Sequence, residues 1–337
     1  MNEARLWKRQ KGDTVQCRLC SHYCVIPAGE RGRCGVRENQ AGTLMTLVYD
    51  RVAAINLDPV EKKPLYHFMP GSATLSLGTN GCNLNCSFCQ NSDLSQTPRQ
   101  FGRVEGQAVS PQRLVDAALA RGAASVSYTY SEPTVFFELM ADTASLAHEQ
   151  GLRNIMVSNG FMSRECLDEL AGLIDAANID LKAFSEAFYK EQCGGALKPV
   201  LENLKTIRSL GWWLEVTTLV IPGLNDSEPE LRDLARFIHD ELGSETPWHV
   251  SRFHPTFRLS DCASTPTSTL ERAWEIGRDA GLSFVYVGNV PGAQANSTFC
   301  PDCGSMLLDR QGCWFRSTSM SDGRCGECGR EIAGEWS

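Results

Sequence analysis

Eleven of the chain's 15 cysteines stand in three spaced groups: Cys17, Cys20, Cys24 and Cys34; Cys82, Cys86 and Cys89; and Cys300, Cys303, Cys325 and Cys328. Reduced cytosolic thiols in such groups read as ligands for metals or clusters rather than as disulfides. The middle group, in Gly81-Cys82-Asn83-Leu84-Asn85-Cys86-Ser87-Phe88-Cys89, has one member fewer than the others. Four thiolates close a four-iron cluster, whereas three leave one iron with a coordination site for a molecule that reacts. The competing reading is a zinc knuckle short of one ligand, or thiols buried in a core. Cys166, Cys193, Cys262 and Cys313 fall outside the groups and read as ordinary small residues.

The last group pairs a C-P-x-C-G knuckle with a C-x-x-C-G knuckle, the spacing of a zinc ribbon in which four thiolates enclose one tetrahedral ion. Iron of the rubredoxin kind takes the same geometry. The first group suits either zinc, which we favour from sequence, or an auxiliary iron–sulfur cluster. Its spacing differs from a ferredoxin-like C-x2-C-x2-C-x3-C run. His22 reads as a neighbour of this group.

The cysteine triplet, with Phe88 before its last member, resembles the cluster loop of the radical S-adenosylmethionine (SAM) superfamily. The whole chain is similar to the pyruvate formate-lyase activating enzyme branch. It is closer to the radical SAM enzymes of the AmmeMemoRadiSam system, which are encoded with Memo-like and AMMECR-type proteins. Cys17-Arg18-Leu19-Cys20-Ser21-His22-Tyr23-Cys24, Glu61-Lys62-Lys63-Pro64-Leu65-Tyr66-His67 and Cys89-Gln90-Asn91 carry that closer likeness.

The resemblance implies a [4Fe-4S] cluster on Cys82, Cys86 and Cys89 that chelates SAM and, once reduced, yields a 5′-deoxyadenosyl radical. It further implies a one-electron donor such as flavodoxin or ferredoxin. The expected radical acceptor is a protein or peptide, as in activation of a glycyl-radical enzyme. Radical modification of a small molecule with Memo-like and AMMECR-type partners is the alternative within the class. A non-catalytic metal-binding scaffold is the alternative outside it.

Further segments resemble the superfamily's SAM pocket. In Tyr128-Thr129-Tyr130-Ser131-Glu132-Pro133, Glu132 is expected to accept from the SAM ammonium, although Tyr130 and Ser131 stand where two glycines are usual. Asn159-Gly160 resembles a ribose-side turn, and Asp180 with Lys182 resembles a charged pair at a strand end. Asn225 belongs to a segment resembling the adenine side, and His254 stands where activating enzymes also carry histidine. Tyr286 to Gly292 is expected to close the pocket, with Asn289 a candidate.

These residues need a frame. From residue 73 to 293 short apolar runs alternate with helical stretches. Strands are expected around Leu75–Leu77, Ser125–Thr129, Asn154–Ser158, Ala177–Leu181, Trp213–Val220, Trp248–Phe253 and Phe284–Val287. Such repeats predict a parallel α/β architecture, with a doubly wound sheet as the structural alternative. The family likeness implies a partial (β/α)6 TIM-like barrel. A cysteine-rich region (1–50) and a linker (51–72) precede it, and a zinc ribbon (294–337) follows. The 337-residue chain is 42% apolar with a net charge of -8 and no basic block, so nucleic acid is not an expected partner. No apolar stretch approaches the ~20 residues that span a bilayer, and a cytoplasmic location is expected.

Overall fold

A computed structural model of the chain describes residues 2–290 and 296–337. Eight strands form the main sheet: β1 Ala54–Pro59, β2 Ala73–Gly78, β3 Ser125–Tyr128, β4 Arg153–Ser158, β5 Ala176–Asp180, β6 Trp213–Val220, β7 Trp248–Arg252 and β8 Val285–Gly288. They lie side by side in chain order. β2 to β8 are all parallel, and β1 runs antiparallel along β2.

This order separates the two expected architectures. A doubly wound sheet reverses strand order at a switch point, whereas a barrel adds each strand beside the last. The ends of the sheet also curl together: Lys63, just past β1, and Asn289, just past β8, line one cleft. The result is a partial α/β barrel, and each of the seven expected strands has its counterpart.

Six helices connect the parallel strands: α1 Pro111–Ala120, α2 Phe137–Glu149, α3 Arg164–Leu170, α4 Leu197–Ser209, α5 Glu228–Phe237 and α6 Thr267–Asp279. Their starts are written locally. Ser110 caps α1 by accepting from Arg113 N at 3.4 Å, with Pro111 in the first turn. Ser163 caps α3 in the same way, accepting from Cys166 N at 3.1 Å. Leu231, Leu234 and Ala235 turn the apolar stripe of α5 into the main core.

The segment 51–72, expected as a linker, supplies β1 and then enters the barrel. Val60, Leu65 and Phe68 pack with Ile155 and Ala176. Pro64 O accepts from Asn178 Nδ2 at 2.8 Å. The backbone N–H groups of Tyr66 and His67 both donate to Glu215 Oε1 at 2.8 Å, and Glu215 Oε2 meets His249 Nε2 at 2.6 Å. His67 Nε2 lies 2.6 Å from the Tyr286 hydroxyl. The barrel interior is therefore filled by the chain's own plug rather than by strand side chains alone.

Burial holds the His67 imidazole neutral, pushing its pKa down to about 4. A base whose folded pKa lies below its unfolded value stabilises the fold above the unfolded value near 6.5, and that contribution is lost as pH falls toward 4. Its full size is roughly 3 kcal/mol. Thermal scans are expected to show the melting temperature dropping between pH 7 and 5, with a shallower drop in His67→Gln.

The head carries two small three-stranded sheets, one built on Arg37–Gln40 and Thr43–Thr46, the other on Val15–Cys17. It is fastened to α2 by a buried Arg37–Glu138 ion pair and by Arg5 N donating to Glu138 Oε1 at 2.7 Å. The tail packs on the plug: Met69 N donates to Glu335 O at 2.6 Å and Glu335 N to His67 O at 2.8 Å. Arg310 Nη2 donates to Tyr66 O at 2.5 Å. The expected boundary at 293/294 and the end of the Tyr286–Gly292 segment fall among 291–295, outside the described residues. Among the described residues no helix is long and apolar enough to cross a membrane.

Candidate active site

A cleft of about 580 Å³ opens where the parallel strands end. In α/β barrels this is the face on which loops gather functional groups. It is lined by Cys82, Cys86 and Cys89 after β2, Glu132 after β3, Asn159 after β4, and Asp180 and Lys182 at the end of β5. Seven of the expected residues thus come together from four strand ends.

The cysteine loop is pinned on both flanks. Asn85 N donates to Cys193 O at 2.8 Å, and Ser87 N to Gln192 O at 2.9 Å. Arg99 donates to Cys82 O and Leu84 O, each at 3.1 Å, which brings a fixed positive charge to the loop. Cys82 Sγ accepts from Leu84 N at 3.4 Å and Asn159 Nδ2 at 3.7 Å. Burial, then the Glu132 carboxylate, push the Cys82 thiol well up. Burial also raises Cys89. Cys86 is instead held low, first by a hydrogen bond from the Cys193 thiol and, against burial, by Lys182. Thiols of this kind become ligands when a bound cation offsets their burial.

Glu132 is buried. Its Oε1 accepts from Thr134 N (3.0 Å), Thr134 Oγ1 (2.6 Å) and Ser158 Oγ (2.7 Å), and its Oε2 from Asn159 N (2.9 Å). Oε1 is saturated while Oε2 keeps capacity for a further donor. Burial raises its pKa, and these bonds pull it back. Lys182 Nζ lies 2.8 Å from Asp180 Oδ2 and 5.8 Å from the Phe88 ring centroid. Although burial opposes its charge, Asp180 and then Cys86 keep the ammonium protonated.

Tyr130 takes a left-handed conformation itself, with φ +68°. The turn expected of a glycine is kept, and the phenol reaches back to Asp58 Oδ2 at 2.7 Å. The glycine requirement has moved to Gly78, where a Cβ would lie 2.6 Å from Thr129 O. Gly78→Ala is expected to destabilise the protein by about 1–3 kcal/mol, the usual cost of overpacking, measurable by denaturant unfolding.

Three expected residues lie elsewhere. Gly160 packs against the barrel, a Cβ there falling 2.8 Å from Ile179 Cγ2. Asn225 is spent on its turn, donating to Lys182 O (2.6 Å) and Leu219 O (2.9 Å) and accepting from Ile221 N (2.6 Å). His254 is exposed, with Ser264 Oγ 3.4 Å from its Nδ1. Conversely, Lys62, Lys63, Asn178, Thr217 and Ser251 line the cleft without having been expected there. For Asn178, two residues before Asp180 on β5, and Thr217, two before Leu219 on β6, the period-two spacing was the available signal.

These residues fit a cluster and a polar cofactor. Among the described residues, only Cys300, Cys303, Cys325 and Cys328 bring three or more ligating atoms within 4.8 Å of one another. The three cleft cysteines share a wall without meeting at one point, as a multi-iron cluster requires and a single ion does not. Ser131, also on the cleft, has a buried hydroxyl with no hydrogen-bond partner. The tail tetrad has paired sulfurs at 3.6 Å (Cys300 with Cys328, Cys303 with Cys325) and suits one metal ion.

Comparison with known proteins agrees. The model of the Radical SAM superfamily matches residues 76–235. The uncharacterized protein MJ0808 of Methanocaldococcus jannaschii is 41% identical over 334 residues, covering 98% of this chain and 99% of that protein. The 4-hydroxyphenylacetate decarboxylase activating enzyme of Clostridioides difficile is 26% identical over 184 residues, 50% of this chain and 57% of that enzyme. Among solved structures, a radical SAM methyltransferase from Sphaerobacter thermophilus shares the fold, with a TM-score of 0.51, 16% identity and 71% of each chain covered. With three cysteines on an open cleft at the strand ends of a partial barrel, the chain belongs to the radical SAM superfamily.

Proposed function

We propose that this enzyme cleaves SAM reductively and abstracts a hydrogen atom from a protein or peptide segment entering the cleft, in the manner of an activating enzyme. When bound, the [4Fe-4S] cluster and SAM together supply the 5′-deoxyadenosyl radical. Cys82, Cys86 and Cys89 would hold the cluster, and Glu132 Oε2 would accept from the SAM ammonium. Asn159 orients Cys82, and the Asp180–Lys182 pair keeps a fixed charge beside Cys86. The observation that carries a peptide acceptor is the lining. Gln90, Ser131 and Ser251 offer an amide and hydroxyls suited to peptide groups, where small-molecule pockets are mostly apolar. Beside them stand Asn91, Asn178, Thr217 and Asn289, whose side chains already hydrogen-bond within the protein.

A second reading has its own support. The archaeal relative matches head, barrel and tail, whereas the activating enzyme matches half of the chain. An acceptor outside the activating enzymes' range, a small molecule handled with Memo-like and AMMECR-type partners, accounts for that. Turnover with dithionite, SAM and peptides deuterated at glycine Cα discriminates the two. Deuterium in 5′-deoxyadenosine is the expected result. Deuterium entering only from a deuterated small-molecule extract would overturn the peptide reading.

We further propose zinc in the tail tetrad. Zinc–sulfur bonds of about 2.3 Å place tetrahedral sulfurs about 3.8 Å apart, close to the spacing here. Cys303→Ala is expected to lose that zinc and lower the melting temperature, by metal analysis and thermal scan. Unchanged folding with lost turnover would show the site is not structural. The one-electron donor is expected to be a flavodoxin or ferredoxin, and the setting cytoplasmic.

A further inference from the structure

The head tetrad is built unlike the tail tetrad. Cys17, Cys20, Cys24 and Cys34 line one narrow pocket, closed by Ile26 and Val135. They therefore face a common space. Yet no three of their sulfurs lie within 4.8 Å of one another, whereas all four tail sulfurs do. A tetrahedral zinc ion needs sulfurs about 3.8 Å apart. The cleft triplet supplies the internal comparison: it too does not bring its sulfurs within 4.8 Å of one another, and it lies within the matched Radical SAM region and resembles the superfamily's cluster loop.

The surroundings suit an anionic group larger than one ion. Arg37 is wholly buried, with Nη1 3.7 Å from Cys17 Sγ. Its Nε is buried without a hydrogen-bond partner. His22 lines the same pocket with its Nε2 2.9 Å from Asn83 O, and the four thiols are by themselves a complete donor set.

We propose that Cys17, Cys20, Cys24 and Cys34 bind a second iron–sulfur cluster, closed by four protein thiolates, in place of the zinc expected from sequence. A closed cluster has no site for SAM, and its chemistry is to accept and release one electron. Its position serves that purpose. Cys20 pairs with Met162, Ser21 N donates to Phe161 O at 3.2 Å, and His22 touches the residue that follows Cys82. This inference does not depend on what the radical acts upon.

The test uses the full chain with Cys82, Cys86 and Cys89 all replaced by alanine, reconstituted anaerobically with iron, sulfide and zinc. The expected result is iron and acid-labile sulfide in equal amounts, at roughly half the wild-type load if both clusters are four-iron. Dithionite should produce an EPR signal that added SAM leaves unchanged. A folded triple variant free of iron and sulfide would overturn the proposal, whether or not extra zinc took their place. Should the triple variant not fold, Cys17→Ser/Cys34→Ser against wild type decides. Loss of about half the iron and sulfide, with the remaining signal responsive to SAM, supports the second cluster; unchanged iron overturns it.

Discussion

Cys86→Ala is expected to abolish formation of 5′-deoxyadenosine from SAM and dithionite. Cys86 is the buried member of the triplet, and its thiol is the one held below its usual pKa. Its removal leaves two thiolates for a cluster that needs three. Losing an outer-shell partner commonly costs about 10–100-fold in affinity or activity, and losing a ligand costs more. One neighbour shapes the experiment: Cys193 is buried and hydrogen-bonds to Cys86. The variant should therefore be run beside Cys86→Ala/Cys193→Ala, with iron measured in both. Chromatographic detection of undiminished 5′-deoxyadenosine in the double variant would remove Cys86 from the cluster.

Glu215→Ala is expected to cost about 3–5 kcal/mol of stability, the range for breaking a buried charged network. The carboxylate accepts from Tyr66 N, His67 N, Trp213 Nε1 at 3.0 Å and His249 Nε2. Alanine leaves three buried donors, and the half-buried Trp213 Nε1, without that partner. Despite burial, the hydrogen bond and charge of His249 hold the carboxyl below its usual pKa, so it is ionised at neutral pH. Glu215→Gln keeps the acceptor oxygen but loses the charge, and should fall between. Denaturant unfolding checks both, and a loss in Glu215→Ala under about 1 kcal/mol, a single net hydrogen bond's worth, would mean the plug is held otherwise.

The barrel was legible in the sequence because its strands are buried on both faces. Runs such as Ile155–Val157 within β4 and Trp213–Val220 in β6 are rich in apolar and β-branched residues and are buried along most of their length, Glu215 being the charged exception. The caps at Ser110 and Ser163 mark helix starts. The cleft was legible where spacing carried chemistry, as in the cysteine triplet and in Asp180 with Lys182. The plug was not. Glu61 to His67 reads as charged and turn-rich, and its burial depends on partners far away, Glu215, Tyr286 and Arg310. Asn225 and His254 sit in loops where polar residues serve turns as readily as ligands, and only their geometry separates the two uses. Tyr130 hid its role because a tyrosine at positive φ has no local signature.

The plug also has a consequence for how the chain is made. The tail residues that lock it, Arg310 on Tyr66, Ala333 on His67 at 2.7 Å and Glu335 beside Phe68, all follow the last strand of the barrel in the chain. Contacts over such sequence separations form slowly, because the intervening loop must close first. A nascent chain already carries every strand of the barrel before its interior can be sealed. The barrel strands and the cysteine loop therefore precede, in the order of synthesis, the contacts that seal the barrel from below.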